Sequence, residues 1–156
     1  MKHRYAPWWL LLPILLLVAC QGTTSGPNLP LATDNEPDSA TTYATLEDTQ
    51  GKVTVVVKPL NLDGSAETID FEITLDTHSV DLSMDLATMS SLTTDNGRQM
   101  VATGWDAPQG GHHVSGVLSF PAIVDGAAWL KGATTLTLTL RDVDVPERVF
   151  IWKLTD

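Results

Sequence analysis

From residue 51 onward, apolar and polar side chains alternate with a period of two in one short run after another. Residues 53–58, 69–75 and 80–86 place Val, Ile, Leu, Phe and Met mainly on one parity and Thr, Lys, Asp, Glu and Ser on the other. Residues 114–120 repeat the pattern, 135–140 carry it as an unbroken Thr-Leu series, and 149–154 put Phe150, Trp152 and Leu154 on one side. Alternation of this kind describes strands with one face buried and one face wet. Between the runs lie the turn formers 61–65, 95–97, 108–111, 125–126 and 144–147. Among them Asp63-Gly64 and Asn96-Gly97 are the strongest short-range turn signals, because they tolerate positive φ. Many short strands separated by such turns predict an all-β fold, an antiparallel β-sandwich of about seven strands spanning residues 51–156. Residues 86–92 break the period and predict a helical turn crossing between the two sheets.

The chain ahead of residue 51 has a different grammar. A basic opening, Met1-Lys2-His3-Arg4, precedes an apolar tract at 8–18 that ends on Cys20, the only cysteine. A membrane-spanning helix needs about 20 apolar residues, so this tract reads as a signal peptide covering residues 1–19. The junction Leu17-Val18-Ala19-Cys20 resembles the lipobox of bacterial lipoproteins. That resemblance implies a lipid on the Cys20 sulfur, cleavage before Cys20, and a membrane partner reached through the anchor. Residues 20–50 are rich in Thr, Ser, Asp, Glu, Asn and Pro, too polar to order themselves, and predict a disordered tether. Gln21 is not the aspartate associated with inner-membrane retention. The expected address is therefore extracytoplasmic: the outer membrane in a two-membrane host, the outer face of the cell membrane otherwise.

Removing residues 1–19 changes the charge balance. Lys2 and Arg4 leave with it, so 9 basic residues become 7 against 19 acidic ones, a net charge near −12. Such a chain has no basic patch for nucleic acid. It also retains no cysteine, so its core must hold without disulfides in a compartment that permits them.

With these features in order, the domain resembles the immunoglobulin-like, telokin-like domains of bacterial lipoproteins. The residues that carry the resemblance are the turn Asp95-Asn96-Gly97-Arg98 and the late strand His113-Val114-Ser115-Gly116-Val117-Leu118-Ser119-Phe120-Pro121, which follows a glycine-rich turn. The resemblance implies an immunoglobulin-like sandwich and assigns no activity.

Candidate chemistry concentrates in the three histidines left after cleavage. His78 lies between Asp76 and Asp81, and His112-His113 follow Gly110-Gly111. If the two segments meet, imidazoles and a carboxylate would suit Zn or Cu. Adjacent strand residues point to opposite faces, so only one of His112 and His113 would join His78 in a regular strand. Trp105, just ahead of the same turn, is a candidate aromatic floor for a ligand or partner.

Other constellations point away from chemistry. Ser79 and Ser115 stand near histidines without a nucleophile elbow, and Gly110-Gly111 lacks the spacing of a phosphate loop. Asp142, Asp144 and Glu147 would suit calcium, but Arg141 and Arg148 flank them and favour local ion pairs. Asp81 and Asp85 fit the wet face of a strand. The expected function is that of a lipid-anchored, extracytoplasmic, non-catalytic β-sandwich module with a binding or structural role at the cell envelope, toward an envelope or protein partner and without a cofactor. The alternative is an extracytoplasmic protein that holds Zn or Cu through His78, His112, His113, Asp76 and Asp81.

Overall fold

The alternating runs form the strands of two antiparallel sheets in a computed structural model that describes residues 42–155. The leader, Cys20 and the tether up to residue 41 lie outside the described residues. In chain order the strands are β1 (Leu46–Asp48), β2 (Val53–Pro59), β3 (Thr68–Thr77), β4 (Ser90–Thr94), β5 (Gln99–Val101), β6 (Gly104–Asp106), β7 (His113–Pro121), β8 (Ile123–Val124), β9 (Ala127–Ala128), β10 (Thr135–Arg141) and β11 (Glu147–Lys153). A four-residue helix, α1 (Leu86–Met89), precedes β4.

Sheet A has the order β1-β2-β3-β7-β6 and sheet B the order β11-β10-β4-β5. Without β1 and β5 the remaining order is β2-β3-β7-β6 against β4-β10-β11, the ABED and CFG arrangement of a seven-stranded immunoglobulin-type sandwich. β5 widens sheet B as a C′ strand does. β8 and β9 form a separate hairpin across Asp125-Gly126, both at positive φ (53° and 76°), as a tight two-residue loop requires.

The inward residues of both sheets make one continuous core. Phe71 sits at its centre, edge-on to Phe120 at 6.0 Å and tilted against Trp152 at 5.4 Å between ring centroids. Gly116 faces inward on β7 because the chain crosses directly over it. A Cβ there would lie 2.4 Å from both the Asp106 carbonyl oxygen and the Ala107 side chain.

Three expectations change. Residues 80–86 alternate in burial, with Leu82 and Leu86 inside, yet residues 80–85 pair with no strand. They are the extended crossover from sheet A to sheet B, and Asp85 caps α1 by accepting from the Ala87 N–H at 3.0 Å, an ordinary N-cap role. The polar tether ends sooner than residue 50: Leu46–Asp48 pair with Val55–Val57, and the Trp152 indole N–H donates to the Ala44 carbonyl at 2.8 Å. The short acidic segment is ordered because sheet A and the Trp152 indole supply partners its own composition does not.

The third change concerns Arg148, which does not pair with the neighbouring carboxylates. Its side chain is fully buried and all five of its N–H donors are used. Nε donates to Val143 O, Nη1 to Asp48 Oδ1 at 2.6 Å and to Asp48 O, and Nη2 to Gln50 O and Val53 O. A buried cation requires such complete satisfaction. Arg148 therefore ties β11 of sheet B to β1 and β2 of sheet A at one side of the sandwich. Burial pushes the Asp48 carboxyl up, but hydrogen bonds from Gln50 and the Arg148 guanidinium outweigh it and hold the pKa below the ordinary 3.8.

Candidate functional site

Strand register decides which of the candidate residues meet. Asp76 on β3 stands opposite His113 on β7, so both side chains project from the outer face of sheet A, where His113 Nδ1 contacts Asp76 Oδ1. His78 lies two residues beyond Asp76, and its ring stands edge-on to that of His113 with centroids 6.5 Å apart. His113 thus touches Asp76 on one side and stands beside His78 on the other.

The rest of the expected cluster does not join them. His112 takes the register position opposite Thr77, of opposite parity to His113, and its backbone carbonyl accepts from the Thr77 N–H at 2.9 Å. Asp81 accepts from the Gly111 N–H at 3.4 Å, which fixes the glycine turn ahead of β7. Among the described residues no group of three or more His, Cys, Asp or Glu side chains is disposed to hold a metal ion. The Asp76–His113 pair is open to water, with side chains 42% and 71% exposed, so it is weak by the usual measure of surface ion pairs.

Trp105 is half-buried on β6 and packs against the core. One edge of it lines a shallow depression of about 290 Å³ with Met84, Pro108 and Gln109. A depression of about 360 Å³ lies between Arg98, Val124 and Lys131. Neither includes His78 or His113. The carboxylates around Pro146 serve the fold: Asp144 accepts from the Lys52 N–H, and Glu147 lies 3.8 Å from Arg141.

No known family, curated protein or solved structure matches this chain. Function must be read from the surfaces themselves.

The outer face of sheet B carries none of the ligating or charged catalytic residue types in its central rows and is distinguished by its lack of charge. Its ladder sets Ile151, Thr137, Thr93 and Gln99 side by side in one row, and Val149, Thr139, Ser91 and Val101 in the next. Neither row contains a charge. Charged residues appear only at the ends of the face, Arg141 and Glu147 at one and Lys153 at the other. Val101, Ile151 and Val149 are 67%, 54% and 46% exposed. The signal for this face was present in the sequence: the polar half of 135–140 is threonine throughout, and in 149–152 both parities are apolar.

The outer face of sheet A is its opposite. It displays Glu47, Asp70, Glu72, Asp76 and Asp106, with Lys58 as the only lysine on its ladder. Lys58 is already paired to Glu72 at 3.2 Å.

Proposed function

We propose that this chain is a lipid-anchored, extracytoplasmic and non-catalytic binding module of the immunoglobulin-like, telokin-like lipoprotein type, held to the membrane through Cys20. Its binding surface is the outer face of sheet B, and its partner is an envelope protein. The observation that carries this reading is the pair of uncharged rows between β11 and β5, on a chain whose mature net charge is near −12. No acid falls on these two rows, whereas the outer face of sheet A carries Glu47, Asp70, Glu72, Asp76 and Asp106. Interface centres are depleted in charged residues and tolerate Thr, Val and Ile, whose branched side chains lie stiff on a flat sheet and lose little entropy on contact. The acidic face of sheet A keeps the module soluble and discourages contact on that side.

Two measurements test the reading separately. Mass spectrometry of the mature N-terminus should find a diacylglyceryl group on Cys20, and Cys20→Ala should release the chain from the membrane fraction. A photo-reactive residue in place of Thr137 should cross-link to an envelope protein in intact cells, whereas one in place of Thr74 on sheet A should not. Equal cross-linking from both positions would refute the assignment of the face.

A further inference from the structure

Among the described residues no strand pairs with the outer edge of β11, the last strand of sheet B, and its make-up is unusual. β11 has seven residues, while the other terminal strands of the two sheets, β1, β5 and β6, have three each. Long apolar edges are templates for pairing with another chain, and proteins normally blunt them with prolines, bulges or central charges. None of these interrupts β11: its centre reads Val149-Phe150-Ile151-Trp152, and its charges stand only at the ends. The phase of its backbone is fixed by two bonds, Leu154 N–H to Thr134 O and Asp142 N–H to Pro146 O. Both join even-numbered positions of β11 and its flanks to β10. The N–H and C=O groups of Glu147, Val149, Ile151 and Lys153 therefore face the open edge.

The geometry points to a second copy of this chain as the occupant of that edge. Two β11 strands meet antiparallel about a two-fold axis beside Phe150 and join their B sheets into one. In this register Glu147 stands opposite Lys153 of the second copy, and Val149 opposite its Ile151. Both members of each pair turn backbone donors and acceptors toward the interface, so each is a hydrogen-bonded pair of the antiparallel ladder. Shifting the axis to Val149 sets Glu147 against an isoleucine, and shifting it to Ile151 sets Lys153 against a valine. Only the Phe150 axis matches charge to opposite charge and apolar to apolar, and such matching is what cross-strand pairs reward. A two-fold contact closes on itself, so the product is a dimer.

The inference goes beyond the proposed envelope partner and does not depend on it, because it uses only the edge of β11. It also addresses size. The uncharged rows of one copy cover roughly 250 Å² at ordinary strand and residue spacings, well short of the roughly 800 Å² that a standard interface takes from each partner. Joining two B sheets doubles the uncharged face. Opposing the dimer are the net negative charge of each copy and the present contacts of Glu147 with Arg141 at 3.8 Å and of Lys153 Nζ with Thr135 Oγ1 at 2.9 Å. Both contacts are exposed and compatible with an added strand.

Sedimentation of the full chain in density-matched detergent tests the proposal. The unaltered chain should form dimers. Glu147→Lys alone and Lys153→Glu alone should each weaken dimerisation at least about tenfold, because each places like charges opposite each other at both ends of the interface. An equimolar mixture of the two variants should dimerise as well as the unaltered chain, since every end pair is then again opposite in sign. The double variant should dimerise by itself. A monomeric unaltered chain, an open-ended polymer, or single variants that dimerise undiminished would overturn the proposal. These residues are exposed, so circular dichroism should show the same folded sandwich for every variant.

Discussion

The two outer faces of the sandwich are built by the same rule and differ in what fills it. On sheet A the outward positions include Asp70, Glu72, Asp76 and Glu47, with Lys58 paired to Glu72 and His113 in contact with Asp76. On sheet B the corresponding positions are Thr93, Thr137, Thr139, Val149 and Ile151. Both compositions satisfy the alternation that buries the core, so folding alone does not account for the contrast. The outward side chains of a strand need only be compatible with water, which charged and uncharged polar residues both are. A face that avoids charge while keeping exposed Val and Ile is therefore the one to associate with contact.

The largest expected effect breaks the platform on which both faces rest. Arg148→Met removes the donor that satisfies the Asp48 carboxylate and four backbone carbonyls and should cost about 3–5 kcal/mol of unfolding free energy, read from urea denaturation. Gly116→Ala should cost less, about 1–3 kcal/mol, by forcing a methyl group against Asp106 and Ala107. In either case both faces should lose definition together, visible as faster amide exchange across β7 and β11.

Acid should act on the joint between the sheets at Asp48 and on the β4–β10 end of sheet B at Asp95. Asp48 and Asp95 have folded-state pKa values below the ordinary 3.8, Asp95 because Thr134 donates to it through its hydroxyl and its N–H. Depressed carboxylates contribute stability that is present above the unfolded pKa and is lost as pH falls through the folded one. Thermal stability should therefore hold steady above about pH 5 and decline below about pH 4. Asp48→Asn should flatten that decline, a change that differential scanning calorimetry reads directly.

The smallest effects on stability should separate the faces most cleanly. Thr137→Lys and Glu72→Gln both fall at outward-facing, half-buried positions and should each move the unfolding free energy by no more than about 0.5 kcal/mol. Only Thr137→Lys should reduce cross-linking or co-sedimentation with the proposed envelope partner. Equal effects of the two substitutions on binding would erase the distinction between the faces.

Much of this architecture was legible in the residue pattern, and the losses have physical causes. β2, β3, β7, β10 and β11 announced themselves because each alternates over several residues. β4 did not, because Ser90-Ser91-Leu92-Thr93-Thr94 offers one large apolar side chain, and its strand character comes from pairing with β10. Residues 80–85 alternate without being a strand, since burial of one parity occurs in any extended segment that crosses a core. Arg148 looked like a surface cation beside acids. Its actual partners are up to 100 positions away in the chain, a distance over which local pattern says nothing.

The histidine cluster was half legible for the same reason. The sequence placed His78, His112 and His113 near two turns, but only the register of β3 against β7 shows that His113 meets Asp76 and that His112 falls on the other parity. The uncharged face of sheet B could have been found from residues 135–140 and 149–152 by asking what the wet positions lack. A search for chemistry looks for charged and ligating groups, and so passes over a surface defined by their omission.

The most direct test of the central claim is the reactivity of introduced cysteines in the intact envelope. Thr137→Cys on sheet B and Thr74→Cys on sheet A occupy outward-facing, half-buried ladder positions of the same residue type. Labelled with a membrane-impermeant maleimide and compared with the unaltered chain, position 74 should react freely and position 137 should be protected until the chain is purified away from its partner. Equal labelling at the two positions, or protection at 74 alone, would contradict the account.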